Sequence, residues 1–156
     1  MRIGIDPGIT GAIAFMDDAG ECGDVMDIPT MAKASGKGQQ IDPYALFSML
    51  MELRRMSPCG ATAYLERVNA MPGQGVSSVF SFGKSVGIIE GVIAALSIPV
   101  KMPTPQSWKK RAGLTGKDKD AARTLAIQLH PEIADKLSRK KDIGRADAIL
   151  IAEFGE

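Results

Sequence analysis

Arg2-Ile3-Gly4-Ile5-Asp6-Pro7-Gly8-Ile9-Thr10-Gly11 opens the chain with a strand that ends on an acid and breaks at once into a turn. Successive strand side chains point to opposite sides, so Ile3 and Ile5 share one face while Gly4 and Asp6 share the other. Asp-Pro-Gly fixes one φ angle and permits a positive one, which turns the chain back into a second strand at 12–16. Asp17-Asp18-Ala19-Gly20 marks another reversal before a third strand at about 24–28. The result is an antiparallel meander with an acid at its centre.

Two further acids occupy comparable places. Glu66 closes the buried-strand pattern Thr62-Ala63-Tyr64-Leu65, and Asp147 opens the helical run Ala146-Asp147-Ala148-Ile149-Leu150-Ile151-Ala152. Desolvating an ionised carboxylate is costly unless something cationic compensates, and no Arg or Lys in these segments is an evident partner for all of them. A divalent metal supplies that compensation. If the first strand neighbours the one ending at Glu66, and a final helix crosses the same face, Asp6, Glu66 and Asp147 converge. Hard oxygen ligands without His or thiolate favour Mg²⁺ or Mn²⁺ over zinc. Two such ions about 4 Å apart activate a water and stabilise the leaving oxygen of a phosphodiester, which is nuclease chemistry. Each acid also has a bland reading. Asp6 caps its turn, Glu66 pairs with Arg67 or Arg111, and Asp147 is a first-turn acid favoured by the helix dipole.

Between these acids, 31–40 reads as a mobile loop. Asp42 caps a helix with Pro43 in its first turn and Leu46, Phe47, Leu50 and Leu53 at helical spacing. A helix over about 77–96 carries Gly83, Gly87, Gly91 and Ala95 every fourth residue, a smooth face that packs on the domain's own sheet or on a dimer partner. A short strand at 98–102, a helix from Thr104-Pro105 through Trp108 to Arg111, a helix over 117–129 and a last helix over about 144–154 complete the order. The expectation is an α/β fold, a mixed five-stranded sheet with its first three strands antiparallel and helices on both faces. Residues 1–156 suit a single domain.

The formal net charge of +1 conceals a polarised chain. Residues 1–66 balance to −4, with 5 Lys/Arg against 9 Asp/Glu, whereas 101–145 balance to +7, with 12 against 5. The basic zone leads into Asp147 and suits a polyanion approaching an acidic site, although solvated helix faces give the same composition. His130 is the only histidine, and its place beside Pro131 at a helix end reads as a surface cap, against Ser-His or Cys-His nucleophilic chemistry. Phe82-Gly83-Lys84-Ser85 resembles the end of a P-loop, but Ser78 stands where the leading glycine belongs and the segment reads as helix. Gly73-Gln74-Gly75 lacks the third glycine of a dinucleotide turn. Cys22 and Cys59 have no metal-ligand spacing and fit a reducing compartment, with one disulfide between them left open. Asp6 interrupts any signal-peptide core and Glu90 interrupts the most apolar helix, so the expectation is a soluble protein with no membrane span.

Ile3-Gly4-Ile5-Asp6-Pro7-Gly8 with Thr10-Gly11, Leu65-Glu66-Arg67-Val68, Gly87-Ile88-Ile89-Glu90-Gly91, and Arg145-Ala146-Asp147-Ala148 with Ile151-Ala152 stand in an order that resembles a RuvC-type Holliday-junction resolvase. The compact phage and bacterial branch, within the ribonuclease H-like fold, is the nearest in flavour. The resemblance implies a homodimeric endonuclease that binds four-way DNA junctions and nicks two strands symmetrically, leaving 5′ phosphate and 3′ hydroxyl ends. It implies a cytoplasmic protein of a bacterial cell or a phage-infected host, with no nucleotide cofactor. Asp6, Glu66 and Asp147 would hold Mg²⁺ or Mn²⁺, two ions per site. Lys109 and Lys119 fall where the family places basic residues that contact the DNA backbone or support the reaction, and Lys110 and Lys117 are close substitutes.

Two departures stand out. The family usually has an Asp or His about one turn before the last Asp, where this chain has Ile143 and Gly144. Asp142 is the nearest acid, and because five helical residues turn by about 500°, it shares a site with Asp147 only if the helix starts after it. The alternative is a solvated acid or an N-terminal cap. Some relatives carry an aromatic wedge in the loop after Glu66, where 68–72 offer no ring and Met71 is the apolar substitute. Other readings are a ribonuclease H-like nuclease for RNA–DNA hybrids or flaps, a non-catalytic junction-binding scaffold, and an actin-like or sugar-kinase ATPase, which needs a second domain that this length does not hold.

Overall fold

In a computed structural model, residues 1–57, 60–70 and 73–156 are described, Lys119 by its backbone alone. Strands β1 (Arg2–Asp6), β2 (Ala12–Met16) and β3 (Cys22–Asp27) form the meander, β1 against β2 and β2 against β3, both antiparallel. A small separate hairpin, β4 (Thr30–Ala32) with β5 (Gln39–Ile41), stands where the sequence reads as a mobile loop. Lys33 and Gly38 close it by a backbone hydrogen bond, and Ile41 anchors it in the core. Its mostly exposed residues carry no alternation to betray a strand.

Helix α1 (Pro43–Arg55) begins as expected, the Asp42 carboxylate accepting from the backbone N–H groups of Tyr44 and Ala45 at 3.0 Å. Strand β6 (Thr62–Leu65) pairs parallel to β1, helix α2 (Val76–Ala95) follows, and β7 (Val100–Lys101) pairs parallel to β6. The sheet order is β3-β2-β1-β6-β7. Three helices complete the chain: α3 (Pro105–Arg111), α4 (Lys119–Leu129) and, after 3₁₀ turns at Pro131–Leu137 and Lys140–Asp142, α5 (Ile143–Phe154).

The faces of the sheet bury different chemistry. Ile3, Ile5, Ile13 and Leu65 meet Leu46 and Leu50 of α1 and Ile89 and Ile93 of α2. Ala12, Ala14 and Tyr64 meet α5 through its alanines, with Trp108, Ala122 and Ala126 beyond. Gly4 explains how closely α5 sits, because a Cβ there would stand 2.0 Å from the Ala148 carbonyl oxygen and 2.5 Å from the Ala152 nitrogen. Only hydrogen fits between strand and helix.

Some expectations fail. His130 is 5 % exposed and buried at the end of α4, because Pro131 turns the chain inward under Ile133 and Leu137. Cys22 is a buried free thiol pushed up to about 12 by burial and by the neighbouring Glu132 and Asp24 carboxylates, while Cys59 lies outside the described residues. The glycines of α2 do not pack on the domain's own sheet. Ser85, Ile89 and Ile93 face inward, and among the described residues no atom outside the helix's own backbone lies within 4 Å of where a Cβ on Gly83, Gly87 or Gly91 would be. By length and composition alone α2 could cross a membrane.

Candidate active site

The register of the central strands brings two of the acids together. Ile5 lies opposite Leu65 in the parallel β1–β6 pair, and the Glu66 N–H donates to the Ile5 carbonyl at 3.0 Å, so Asp6 and Glu66 leave adjacent strand ends. Parity then sends both toward α5, Asp6 with Gly4 and Glu66 with Tyr64. Helix α5 is seated on that face by Ala148 over Gly4, which fixes the preceding residue, Asp147. Gly144 makes a second close approach. A Cβ there would lie 2.8 Å from the Thr10 carbonyl oxygen and 3.0 Å from Asp6 Oδ2, so the first turn of the helix lies directly on the turn that follows Asp6.

The electrostatics follow from crowding. Asp6 is pushed up from the usual 3.8 to about 8, first by burial, then by repulsion from Asp147 and Glu66, against which Lys109 pulls down. Asp147 rises to about 6, chiefly by burial, opposed by Lys109 and reinforced by Glu66. Its Oδ1 is buried and has no hydrogen-bond partner, a costly arrangement for a carboxylate oxygen. Glu66 pairs with neither Arg67 nor Arg111. Its Oε1 accepts from Trp108 Nε1 at 2.8 Å, and Arg111 donates instead to the Phe154 carbonyl at 2.7 Å.

These acids fit a hard cation in donor chemistry, in mutual repulsion and in the orphaned Asp147 oxygen. They approach one another without forming a finished cage, since among the described residues no three Asp, Glu, His or Cys side chains stand close enough to bind one ion together. Asp142 is not brought among them. Helix α5 does start after it, but its carboxylate turns to Arg139, accepting from Nη2 at 2.7 Å and from the backbone N–H at 2.9 Å. Asp142 is not among the charges felt by Asp6 or Asp147.

Of the basic residues singled out from sequence, Lys109 and Lys117 line a hollow of about 310 Å³ with Asp147 and Ile143. Lys110 is exposed on α3. Lys119 starts α4 by its backbone, its side chain lying outside the description, and Met71 lies outside the described residues altogether. Arg123, Arg139 and Arg145 of the basic zone are engaged by Asp120, Asp142 and Asp27, and Lys136 by Asp24, whereas Lys109 and Lys117 line the hollow beside Asp147. A larger cleft of about 950 Å³, lined by Met1, Thr62 and Lys101 among others, lies at the opposite ends of β1 and β6, away from the acids.

Sequence reasoning missed Trp108. Its burial and its bond to Glu66 link residues far apart in the chain, and the available signal was chemical: a lone tryptophan, once buried, must find a partner for its N–H. Phe80 and Phe82 were missed as well, lining with Ile9 an apolar groove of about 360 Å³ beside the Asp6 turn.

No family model matches the chain. Over 98 residues, 62 % of this chain, it is 35 % identical to the chloroplastic Holliday junction resolvase MOC1 of Chlamydomonas reinhardtii, and spans 11 % of that protein's length. The fold is that of Thermus thermophilus RuvC, matched at a TM-score of 0.59 and 18 % identity over 97 % of this chain and 90 % of that one. The T. thermophilus RuvC structure in complex with a Holliday junction substrate aligns at 0.56 and 16 % identity over 97 % and 89 %. The mixed sheet with an antiparallel first half is thus a RuvC-like, ribonuclease H-like architecture.

Proposed function

We propose that this chain is a metal-dependent endonuclease that resolves four-way DNA junctions by paired nicks and works as a homodimer. One observation carries the reading: Asp6, Glu66 and Asp147 approach one another, close enough to repel, from two strand ends and the first turns of a helix, with an Asp147 oxygen buried and unpartnered. The likeness to a named Holliday junction resolvase over 98 residues supports the choice of branched DNA over other substrates.

In this reading Asp6, Glu66 and Asp147 hold Mg²⁺ or Mn²⁺, as two ions. When bound, the metal supplies an activated water for attack on phosphorus and charge stabilisation for the departing 3′ oxygen. The chain's own residues prepare the site. The α5–Gly4 contact keeps Asp147 over the strand ends, and the raised Asp6 and Asp147 groups surrender their protons as the cations arrive. Lys109, Lys110 and Lys117, with Lys119, draw the phosphate backbone toward the acids, setting position and affinity without reading sequence.

The dimer is assigned to the outer face of α2. Val76 and Phe80, 86 % and 74 % exposed, lie on the same side of the helix as Gly83, Gly87 and Gly91, opposite the buried Ile89 and Ile93. An apolar, glycine-lined helix face allows the close approach of a second backbone. Gly87→Leu is expected to give folded monomers in sedimentation, and a folded variant that stays dimeric removes this assignment.

The deciding experiment offers synthetic four-way junction, linear duplex and RNA–DNA hybrid to the purified protein with Mg²⁺ or Mn²⁺, beside an Asp6→Asn variant. Symmetric nicking of the junction alone, lost in the variant, is the expected outcome. Cutting confined to hybrid assigns the chain to another nuclease of the same fold, and junction binding without cutting in either protein makes it a scaffold.

A further inference from the structure

We propose that Trp108 is the positioning residue of the acidic site, orienting Glu66 for metal through its indole N–H and seating Lys109 through its ring. The inference rests on the nuclease reading above and deepens it.

Trp108 is 0 % exposed, so its N–H must be satisfied inside the protein, and Glu66 Oε1 satisfies it at 2.8 Å. A bond to a carboxyl oxygen is among the stronger kinds, and the rigid ring gives it a fixed direction. A glutamate side chain rotates about three bonds, and this contact selects one orientation for it. The backbone beneath is equally constrained: Glu66 N–H donates to Ile5 at 3.0 Å and Arg67 N–H to the Pro103 carbonyl at 2.8 Å. On the other side, α3 is capped by Thr104, whose hydroxyl accepts from the Ser107 N–H at 3.2 Å. Both partners of the Trp108–Glu66 bond are therefore held at their roots. With Oε1 engaged, Oε2 is the oxygen left to serve a cation.

The same ring holds the opposite charge. Lys109 Nζ lies 5.0 Å from the Trp108 ring centroid, within cation–π range. Lys109 is also the cation whose charge reaches both Asp6 and Asp147. One buried side chain thus contacts an anion of the site and its nearest cation, which simple core filling does not require. A phenylalanine would fill the volume, and only an indole also offers the N–H.

The chain contains a single tryptophan, so its emission reports on the surroundings of Trp108, the Glu66 contact among them. The metal-free protein is titrated with Mg²⁺, and separately with Mn²⁺, following Trp108 fluorescence. A saturable change is expected in the wild type and not in Glu66→Gln. In Trp108→Phe, the Mg²⁺ concentration for half-maximal junction nicking is expected to rise about 10- to 100-fold, the usual effect of removing a partner that orients a metal ligand. Turnover recovers as Mg²⁺ saturates. A role confined to packing would lower the melting temperature without moving the metal requirement. The inference is overturned if wild-type emission ignores both ions, if Glu66→Gln responds as the wild type does, or if folded Trp108→Phe keeps the wild-type Mg²⁺ requirement. Should Trp108→Phe fail to fold, the emission of wild type against Glu66→Gln decides alone. Failure of the nuclease reading is seen separately, as absence of metal-dependent nicking by the wild type.

Discussion

Two groups of carboxylates lie near the start of α5, and they are treated in opposite ways. Toward β3, Asp27 is held by Arg145 through two contacts of 2.6 and 2.8 Å, and Asp142 by Arg139 at 2.7 Å. Hydrogen bonds from those guanidinium groups hold both acids below the usual carboxylate range. Toward β1 and β6, Asp6 and Asp147 are raised to about 8 and about 6, with Lys109 the cation that reaches them. The stretch that supplies Arg139 and Arg145 offers no such partner to Asp147, two residues further on. Paired acids stabilise the frame, and unpaired acids wait for a cation from outside. That contrast marks the site more sharply than the size of any cavity.

The strongest way to break the contrast is to neutralise an unpaired acid. Asp6→Asn is expected to reduce junction nicking by more than about 100-fold, since even partners that merely orient a ligand are worth 10 to 100. The same variant is expected to raise the melting temperature of the metal-free protein at pH 8, because it removes a buried charge that the fold does not compensate. A variant that loses activity and stability together would make Asp6 a structural acid.

Titration gives the next largest effect. An acid whose folded pKa lies above its unfolded value takes up a proton on folding, so its contribution to stability falls as pH rises between those values. For Asp6 the window runs from 3.8 to about 8, and for Asp147 from 3.8 to about 6. Metal-free protein is therefore expected to lose stability across that range while Mg²⁺ stabilises it increasingly, the ions replacing the protons. Melting curves at pH 5 and pH 8, with and without Mg²⁺, test this. A Mg²⁺ effect equal at both values sinks it. Asp27 and Asp142 run the other way: their lowered values add stability above the unfolded pKa that is lost as pH falls below it, an acid-side effect that Mg²⁺ does not touch.

Replacing Gly4 tests how the two regions are joined. In Gly4→Ala the new methyl meets the Ala148 carbonyl, and a destabilisation of about 3 kcal/mol is expected from forcing the helix off the strand. Denaturant unfolding measures it. A neutral substitution would mean that α5 does not depend on this contact to hold Asp147.

Much of this was visible in the amino-acid order, for a definable reason. Asp6, Glu66 and Asp147 are conspicuous because each interrupts an apolar segment whose strand or helix period is clear, and the Asp-Pro-Gly turn and the Asp42 cap are local devices. What stayed hidden depends on distant partners or on weak periodicity. The Trp108–Glu66 bond joins α3 to the end of β6. Helix α2 is apolar on both sides, so its glycine stripe could be read but not the direction it faces. The basic zone looked uniform by composition, yet Arg123, Arg139 and Arg145 are tied to acids, while Lys109 and Lys117 line the hollow beside Asp147.

Asp142 is the subtlest case, because the sequence leaves it open between a ligand and a cap, and the geometry makes it part of the frame. It is 4 % exposed, and both its oxygens are engaged, Oδ1 by the Arg139 guanidinium and Oδ2 by the Arg139 N–H. An asparagine keeps one acceptor and loses the ion pair. Asp142→Asn is therefore expected to cost about 1–3 kcal/mol in stability, as for a buried hydrogen-bonding group left partly unmatched. Its Mg²⁺ requirement and its rate of nicking, assayed well below the melting temperature, should stay within about 3-fold of wild type, against the 10- to 100-fold or greater losses expected at metal ligands and their partners. If nicking collapses while the fold holds, Arg139 must release this carboxylate when metal binds, and Asp142 belongs with the unpaired acids instead of the frame.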